Sequence, residues 1–149
     1  MASTFTQIYY HLVFSTKDRE RVLVAEQREE LLRYVWGIIR NQHGHLYRIN
    51  AVEDHVHLLT SLHPSVALAN LVKDIKVASS GWIKEKGLFP GFHNWQEGYS
   101  AFTASHADKD RLIEYIKNQP EHHHQKTFRE ELRDLLVEAR IEFDERYLD

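Results

Sequence analysis

Strand-type and helix-type segments follow one another in the order β-α-β-β-α-β, which limits the fold more than any other feature of this chain. Strands are expected at residues 7–15, 46–52, 55–62 and 98–105, and helices at about 24–42, at 65–87 and from 107 or 108 to 120. This order predicts an α+β fold, a ferredoxin-like or RRM-like split β-α-β sandwich with a four-stranded antiparallel sheet backed by two helices. An amphipathic segment at 128–139 predicts additional C-terminal helices, and the second sheet face is left for a ligand or a later helix.

Individual residues predict where these elements begin and end. Gly44 is a stop signal for the first helix, and Glu53-Asp54 form a tight turn between the second and third strands. Ser65 is a plausible N-cap for the second helix. Pro120 is expected to end the third helix, because the residue before a proline disfavours the helical conformation.

Length and composition favour one domain over residues 1–149, with a helical extension from about 121 to 149. The chain has no cysteine, which excludes disulfides, thiolate metal sites and cysteine nucleophiles. No apolar run is long enough to span a bilayer, and the N-terminal residues lack the pattern of a signal peptide. We therefore expect a cytoplasmic protein with no membrane partner.

The net charge of -3 hides an uneven distribution. The segment 129–149 has four arginines and eight acids, so the rest of the chain is close to neutral. Basic residues cluster after the first strand, at Lys17, Arg19 and Arg21, and along the second helix, at Lys73, Lys76, Lys84 and Lys86. Each cluster is either a phosphate-binding patch or a solvated face.

His55-Val56-His57 opens the third strand. Residues i and i+2 of a strand point to the same face, so the two imidazoles are expected to project together. Neutral imidazoles are ligands for divalent cations, although a half-buried strand can also carry two histidines for structural reasons.

Tyr115 and Gln119 are four residues apart in a predicted helix and are expected to share one face. A tyrosine can act as a covalent nucleophile once its phenolate is stabilised, and a glutamine carbonyl can complete a metal site. A packed tyrosine ring and a surface glutamine are the alternative interpretation.

Several motifs in register connect these residues. They are Tyr-Tyr-His-Leu-Val-Phe-Ser-Thr-Lys at 9–17, Asp-His-Val-His-Leu-Leu at 54–59, Leu-Val-Lys-Asp-Ile-Lys at 71–76, Trp-Gln-Glu-Gly-Tyr-Ser-Ala-Phe at 95–102 and Tyr-Ile-Lys-Asn-Gln at 115–119. Over nearly its whole length the chain resembles the HUH-type single-tyrosine transposases of the insertion-sequence 200/605 group.

The resemblance implies a role for each matching residue. His55, His57 and Gln119 would hold Mg²⁺ or Mn²⁺, and Tyr115 would be the nucleophile that forms a 5′-phosphotyrosine with DNA. The implied substrate is single-stranded DNA with imperfect hairpins, cleaved and rejoined without a nucleotide cofactor. Similar proteins act as homodimers.

Further residues are candidates for DNA contact. Lys73, Lys76, Tyr10 and Arg19 are expected to bind DNA, whereas Trp95 and Tyr99 are expected to anchor the loop before the fourth strand. The run His122-His-His124 is interpreted as a surface or DNA-proximal segment.

Two other functions remain open at this point. A non-catalytic or domesticated hairpin-binding protein would use the same sheet and basic helix without forming a covalent bond. A metal-dependent phosphoesterase with water as nucleophile is less favoured, because the single His-x-His motif supplies few ligands.

Overall fold

A computed structural model describes residues 3–148, apart from the side chains of residues 122–124. Its strands are β1 (Tyr9–Ser15), β2 (His45–Ala51), β3 (His55–Ser61) and β4 (Ser100–Ala104). Its helices are α1 (Arg28–Asn41), α2 (Leu68–Lys86), α3 (Lys109–Lys117), α4 (Gln119–Gln125) and α5 (Phe128–Glu138). Short 3₁₀ turns lie at Lys17–Arg19, Ala25–Gln27 and Glu145–Tyr147.

The four strands form one antiparallel sheet in the order β2-β3-β1-β4. This arrangement confirms the predicted fold class. Because β3 and β1 are the two central strands, the His-x-His motif lies in the middle of the sheet, where the backbone is paired on both sides.

Helices α1 and α2 cover one face of the sheet. Alternate residues of β1, Leu12 and Phe14, join the main hydrophobic core with residues such as Leu31 of α1 and Ile75 of α2. The intervening residues of β1 point to the opposite face, as expected for a strand.

A later helical layer covers that opposite face. Val13 of β1 packs against Phe128, Leu132 and Leu136 of α5, and Ile116 of α3 packs against Leu59 of β3. The second face is therefore closed by helices, which was one of the two outcomes expected from the sequence.

Two predicted helix boundaries are wrong. The second helix starts at Leu68 after Ala67, and the hydroxyl of Ser65 lies 2.7 Å from Nδ1 of His63 instead of capping the helix. The third helix ends at Lys117, and Pro120 lies in the first turn of α4, where a missing N–H has no helical partner to lose. None of the helices in the described part of the chain is long and apolar enough to cross a membrane.

Candidate metal and nucleophile site

His55 and His57 lie on the face of β3 that α3 and α5 cover, and both side chains are buried. Their Nε2 atoms point toward one carboxylate, that of Glu131 on α5. Oε1 of Glu131 is 2.6 Å from Nε2 of His57 and 3.3 Å from Nε2 of His55. The ligand atoms of these three residues all lie within 4.8 Å of one another.

The other ring nitrogen of each histidine has its own partner. Nδ1 of His55 donates to Oδ1 of Asp54 at 2.7 Å, and Nδ1 of His57 is 2.9 Å from Nε2 of His11 on β1. Such outer contacts fix the orientation of an imidazole and are usual around metal-binding histidines. Both histidines thus keep their Nε2 atoms directed at the same point.

Gln119 completes this group at the start of α4 and is fully buried. Its Oε1 is 3.3 Å from Nε2 of His55, and its Nε2 donates to Oε2 of Glu131 at 3.1 Å. The three predicted metal ligands, His55, His57 and Gln119, therefore lie together.

Glu131 was not predicted as a site residue from the sequence. Its side chain is only 6% exposed, and it lies on the stripe of α5 that also carries Phe128, Leu132 and Leu136. Glu131 follows Phe128 by three residues on this apolar stripe. That position was the available signal in the sequence, because buried acids are rare unless they are paired or bind a metal.

Tyr115 approaches the group from α3. Its ring packs edge-on against His57, with 5.8 Å between centroids, and Tyr115 and Glu131 line the same cavity. Burial, and then the negative charge of Glu131, raise the pKa of Tyr115 well above its usual value. The phenol is consequently protonated at neutral pH.

Tyr115 and Gln119 were expected on one helix face, and this prediction is wrong. Asn118 separates α3 from α4, so the two residues belong to consecutive helices. They still meet, because the short interruption allows Gln119 to turn toward His55 while Tyr115 stays beside His57.

Opposite charges hold the site together. Burial opposes ionisation of Glu131, but hydrogen bonds from His55 and His57 and their positive charges outweigh it and hold the pKa of Glu131 well below its usual range. Burial likewise lowers the pKa of His55, yet its bonds to Asp54 and Glu131 outweigh this and raise the pKa overall. Burial, with the charge of His57, lowers the pKa of His11 to about 3, so His11 is neutral.

This donor set fits a divalent cation. Two imidazole nitrogens, one ionised carboxylate and one amide oxygen converge, and nitrogen and oxygen donors of these kinds bind divalent metal ions.

The predicted DNA-binding residues lie in different surroundings. Lys73 is exposed on α2, whereas Nζ of Lys76 donates to the backbone carbonyl of Gln96 at 2.8 Å and to that of Gly98. Burial lowers the pKa of Lys76. Tyr10 packs against the main core on the other face of the sheet from His55.

Arg19 lies next to the group formed by His55, His57 and Glu131. Its guanidinium is 4.6 Å from the centroid of the Phe128 ring, which stacks on His55 at 4.2 Å. Arg19 also lines a cavity of about 250 Å³ together with Tyr99 and Tyr147.

Of the two aromatic residues expected to anchor the loop and the fourth strand, Trp95 is buried and Tyr99 is not. Trp95 is buried and donates from Nε1 to Oγ of Ser79 at 2.9 Å, whereas Tyr99 is 41% exposed and lines the cavity beside Arg19. The side chains of His122–His124 lie outside the described part of the chain.

Comparisons with known proteins identify the family of this chain. The family described as "Transposase IS200 like" matches residues 4–119, which include Tyr115 and Gln119 but not α5. The ISDra2 transposase TnpA of Deinococcus radiodurans is 31% identical over 118 residues, covering 76% of this chain and 84% of the relative.

Two solved structures have the same fold. The crystal structure of a protein from Deinococcus radiodurans R1, assigned as a transposase, gives a TM-score of 0.62 at 28% identity and covers 80% of this chain and 96% of that protein. A REP-associated tyrosine transposase bound to a REP hairpin gives a TM-score of 0.58 at 16% identity, covering 83% of this chain and 74% of the other. With two histidines, a glutamine and a tyrosine meeting inside the matched region, the chain belongs to the IS200-like transposase family.

Proposed function

We propose that this transposase cleaves and rejoins single-stranded DNA at hairpin-bearing ends, with Tyr115 as the nucleophile and a divalent metal ion in the site. The observation that carries the proposal is the position of Tyr115. Its ring packs against His57 with 5.8 Å between centroids, and Tyr115 and Glu131 line the same cavity beside the His55 and His57 nitrogens.

His55 and His57 would bind Mg²⁺ or Mn²⁺ through Nε2, with oxygens from Glu131 and Gln119. A divalent ion bound there supplies positive charge that neutralises a scissile phosphate and favours the phenolate form of Tyr115. Asp54 and His11 hold the two imidazoles in place from their far sides.

In the covalent step, the Tyr115 oxygen attacks the phosphorus of one phosphodiester and the bond to the 3′-oxygen breaks. A 5′-phosphotyrosine forms and a 3′-hydroxyl leaves, with the proton lost by the phenol matched by the one that the 3′-oxygen gains. One phosphodiester bond is exchanged for another, so a second 3′-hydroxyl can reverse the step without a nucleotide cofactor.

The DNA partner is proposed from the family and from local charge. One structural relative is bound to a REP hairpin, and we propose a hairpin-bearing single strand for this chain as well. Arg19 lies beside Phe128 next to His55 and can contact a phosphate near the cleavage point, and Lys73 is exposed on α2, where it can contact phosphates farther from that point. A homodimer in the cytoplasm is the proposed working form.

The test uses the full chain and a labelled single-stranded oligonucleotide carrying the palindromes that flank its gene. With Mn²⁺ or Mg²⁺, the wild-type protein should form a covalent protein–DNA adduct visible on a denaturing gel. Tyr115→Phe should form none, since it lacks the attacking oxygen, while Tyr99→Phe, which keeps every side chain around the metal, should form as much as the wild type.

Other outcomes identify the other functions. Hairpin binding that survives chelation, with no adduct in either metal, would show a non-catalytic binding protein. Repeated cleavage without an adduct would show a phosphoesterase. An adduct with Tyr115→Phe equal to that of the wild type would assign the nucleophile to another residue.

A further inference from the structure

His11 has a polar contact that the motif alone did not explain. It lies on β1, is 2% exposed, and its ring stacks on His57 with 5.1 Å between centroids. Its Nε2 is 2.9 Å from Nδ1 of His57, on the side of that imidazole away from Glu131.

The two histidines of the motif are therefore held differently. Nδ1 of His55 faces the carboxylate of Asp54, which can only accept a hydrogen bond when ionised. Nδ1 of His57 faces another imidazole, whose nitrogen donates in one tautomer and accepts in the other.

Metal binding requires one particular arrangement of these protons. A neutral His57 that binds a cation through Nε2 has its proton on Nδ1, and that N–H needs an acceptor in a buried site. The lone pair on Nε2 of His11 is in position to accept it.

We propose that His11 is a positioning residue that holds His57 in its metal-binding tautomer by accepting a hydrogen bond from Nδ1. The inference rests on the proposed metal site but assigns a role to a residue outside the ligand set. Removal of an outer partner of this kind typically lowers metal affinity about 10- to 100-fold.

The substitutions separate this hydrogen bond from simple packing. His11→Gln places a terminal amide near the position of Nε2 and can accept from His57, whereas His11→Asn is polar but too short to reach it. His11→Leu fills space without an acceptor. Tyr9→Phe, on the same strand and face, is the matched control.

The measurement is Mn²⁺ affinity by isothermal titration calorimetry, with urea unfolding in chelator as the separate readout of folding. His11→Leu and His11→Asn should weaken Mn²⁺ binding about 10- to 100-fold, while His11→Gln and Tyr9→Phe stay within a few-fold of the wild type. If the leucine variant does not fold, the comparison of Gln with Asn decides.

Two results would overturn the inference in distinguishable ways. Equal Mn²⁺ affinity in the Asn or Leu variant and the wild type, or an equal loss in Gln and Asn, would leave the metal site standing and remove the role of His11. No Mn²⁺ binding by the wild type would remove the metal site itself and this role with it.

Discussion

Glu131 is one carboxylate that acts on every candidate functional side chain of the site. It accepts from His57, lies 3.3 Å from His55 and accepts from Gln119, and its charge raises the pKa of Tyr115. Its negative charge favours a cation between the histidines. The same charge disfavours the phenolate of Tyr115 when no such cation is bound. The charge of Glu131 therefore adds to burial in keeping Tyr115 protonated.

Replacing Glu131 with glutamine should move the pKa of Tyr115 down toward its ordinary value in the metal-free protein, because the neighbouring negative charge is lost. The same change should weaken Mn²⁺ binding. The phenol is followed by NMR of ring-carbon-labelled tyrosine during a pH titration, with the exposed Glu142→Gln as control. An unchanged Tyr115 titration in the Glu131 variant would contradict this assignment.

The buried, neutral His11 should make stability depend on pH. The pKa of His11 in the folded protein is about 3, below the usual 6.5. Between these two pH values the unfolded chain binds a proton at His11 and the folded protein does not. The free energy of unfolding should therefore fall as pH drops below about 6.5, by at most about 1.4 kcal/mol per pH unit from this residue.

Urea unfolding in chelator between pH 6.0 and 5.0 measures that slope. His11→Gln, which has no titrating group, should show a shallower slope than the wild type. Parallel slopes would mean that His11 is protonated in the folded protein.

The elements that the sequence predicted best are those with a strong period and a local turn signal. All four strands, α1 and α2 lie where the patterns put them, and His55 and His57 share a face because a strand alternates. The errors come from contacts and breaks that no period or turn signal predicts. Asn118 interrupts the helix before Pro120 can, and Ser65 bonds to His63 instead of capping α2.

The ligand set was only partly predictable for the same reason. His55, His57, Tyr115 and Gln119 belong to motifs that can be recognised along the chain, and the structure brings them together. Glu131 and His11 act through contacts that join α5 and β1 to β3, and no local spacing encodes a contact over such distances in sequence.

The loop between α2 and β4 depends on Lys76. Its ammonium donates to the carbonyls of Gln96 and Gly98, while the exposed Lys73 one turn earlier makes no such loop contact among the bonds described. Lys76→Ala should speed amide hydrogen exchange in residues 94–99, and Lys73→Ala should leave it unchanged.

The salt dependence of hairpin binding tests whether the exposed Lys73 contacts DNA. Lys73→Ala should reduce the slope of log affinity against log salt by the amount expected when about one phosphate contact is lost. An unchanged slope in this variant would remove Lys73 from the DNA interface.

The site links parts of the whole molecule that are far apart in sequence. The sheet supplies the histidines, α3 and α4 supply Tyr115 and Gln119, and α5 closes the layer over them. A ligand that binds only this assembled arrangement stabilises the entire fold by mass action.

Mn²⁺ at 100 times its dissociation constant should therefore raise the free energy of unfolding by about 2.7 kcal/mol and shift the melting temperature upward by several degrees. Calorimetric melting with and without chelator measures the shift. It should vanish in His55→Ala and persist in His63→Ala, whose histidine lies outside the site. Equal shifts in both variants would place Mn²⁺ elsewhere.

The position of Glu131 near the C-terminus also has a consequence during synthesis on the ribosome. Chains are synthesised from the N-terminus, so the sheet and Tyr115 emerge before α5 does. A nascent or prematurely terminated chain that stops short of α5 carries Tyr115 and both histidines but lacks the Glu131 carboxylate. The complete set of side chains becomes available only after translation has passed Glu131.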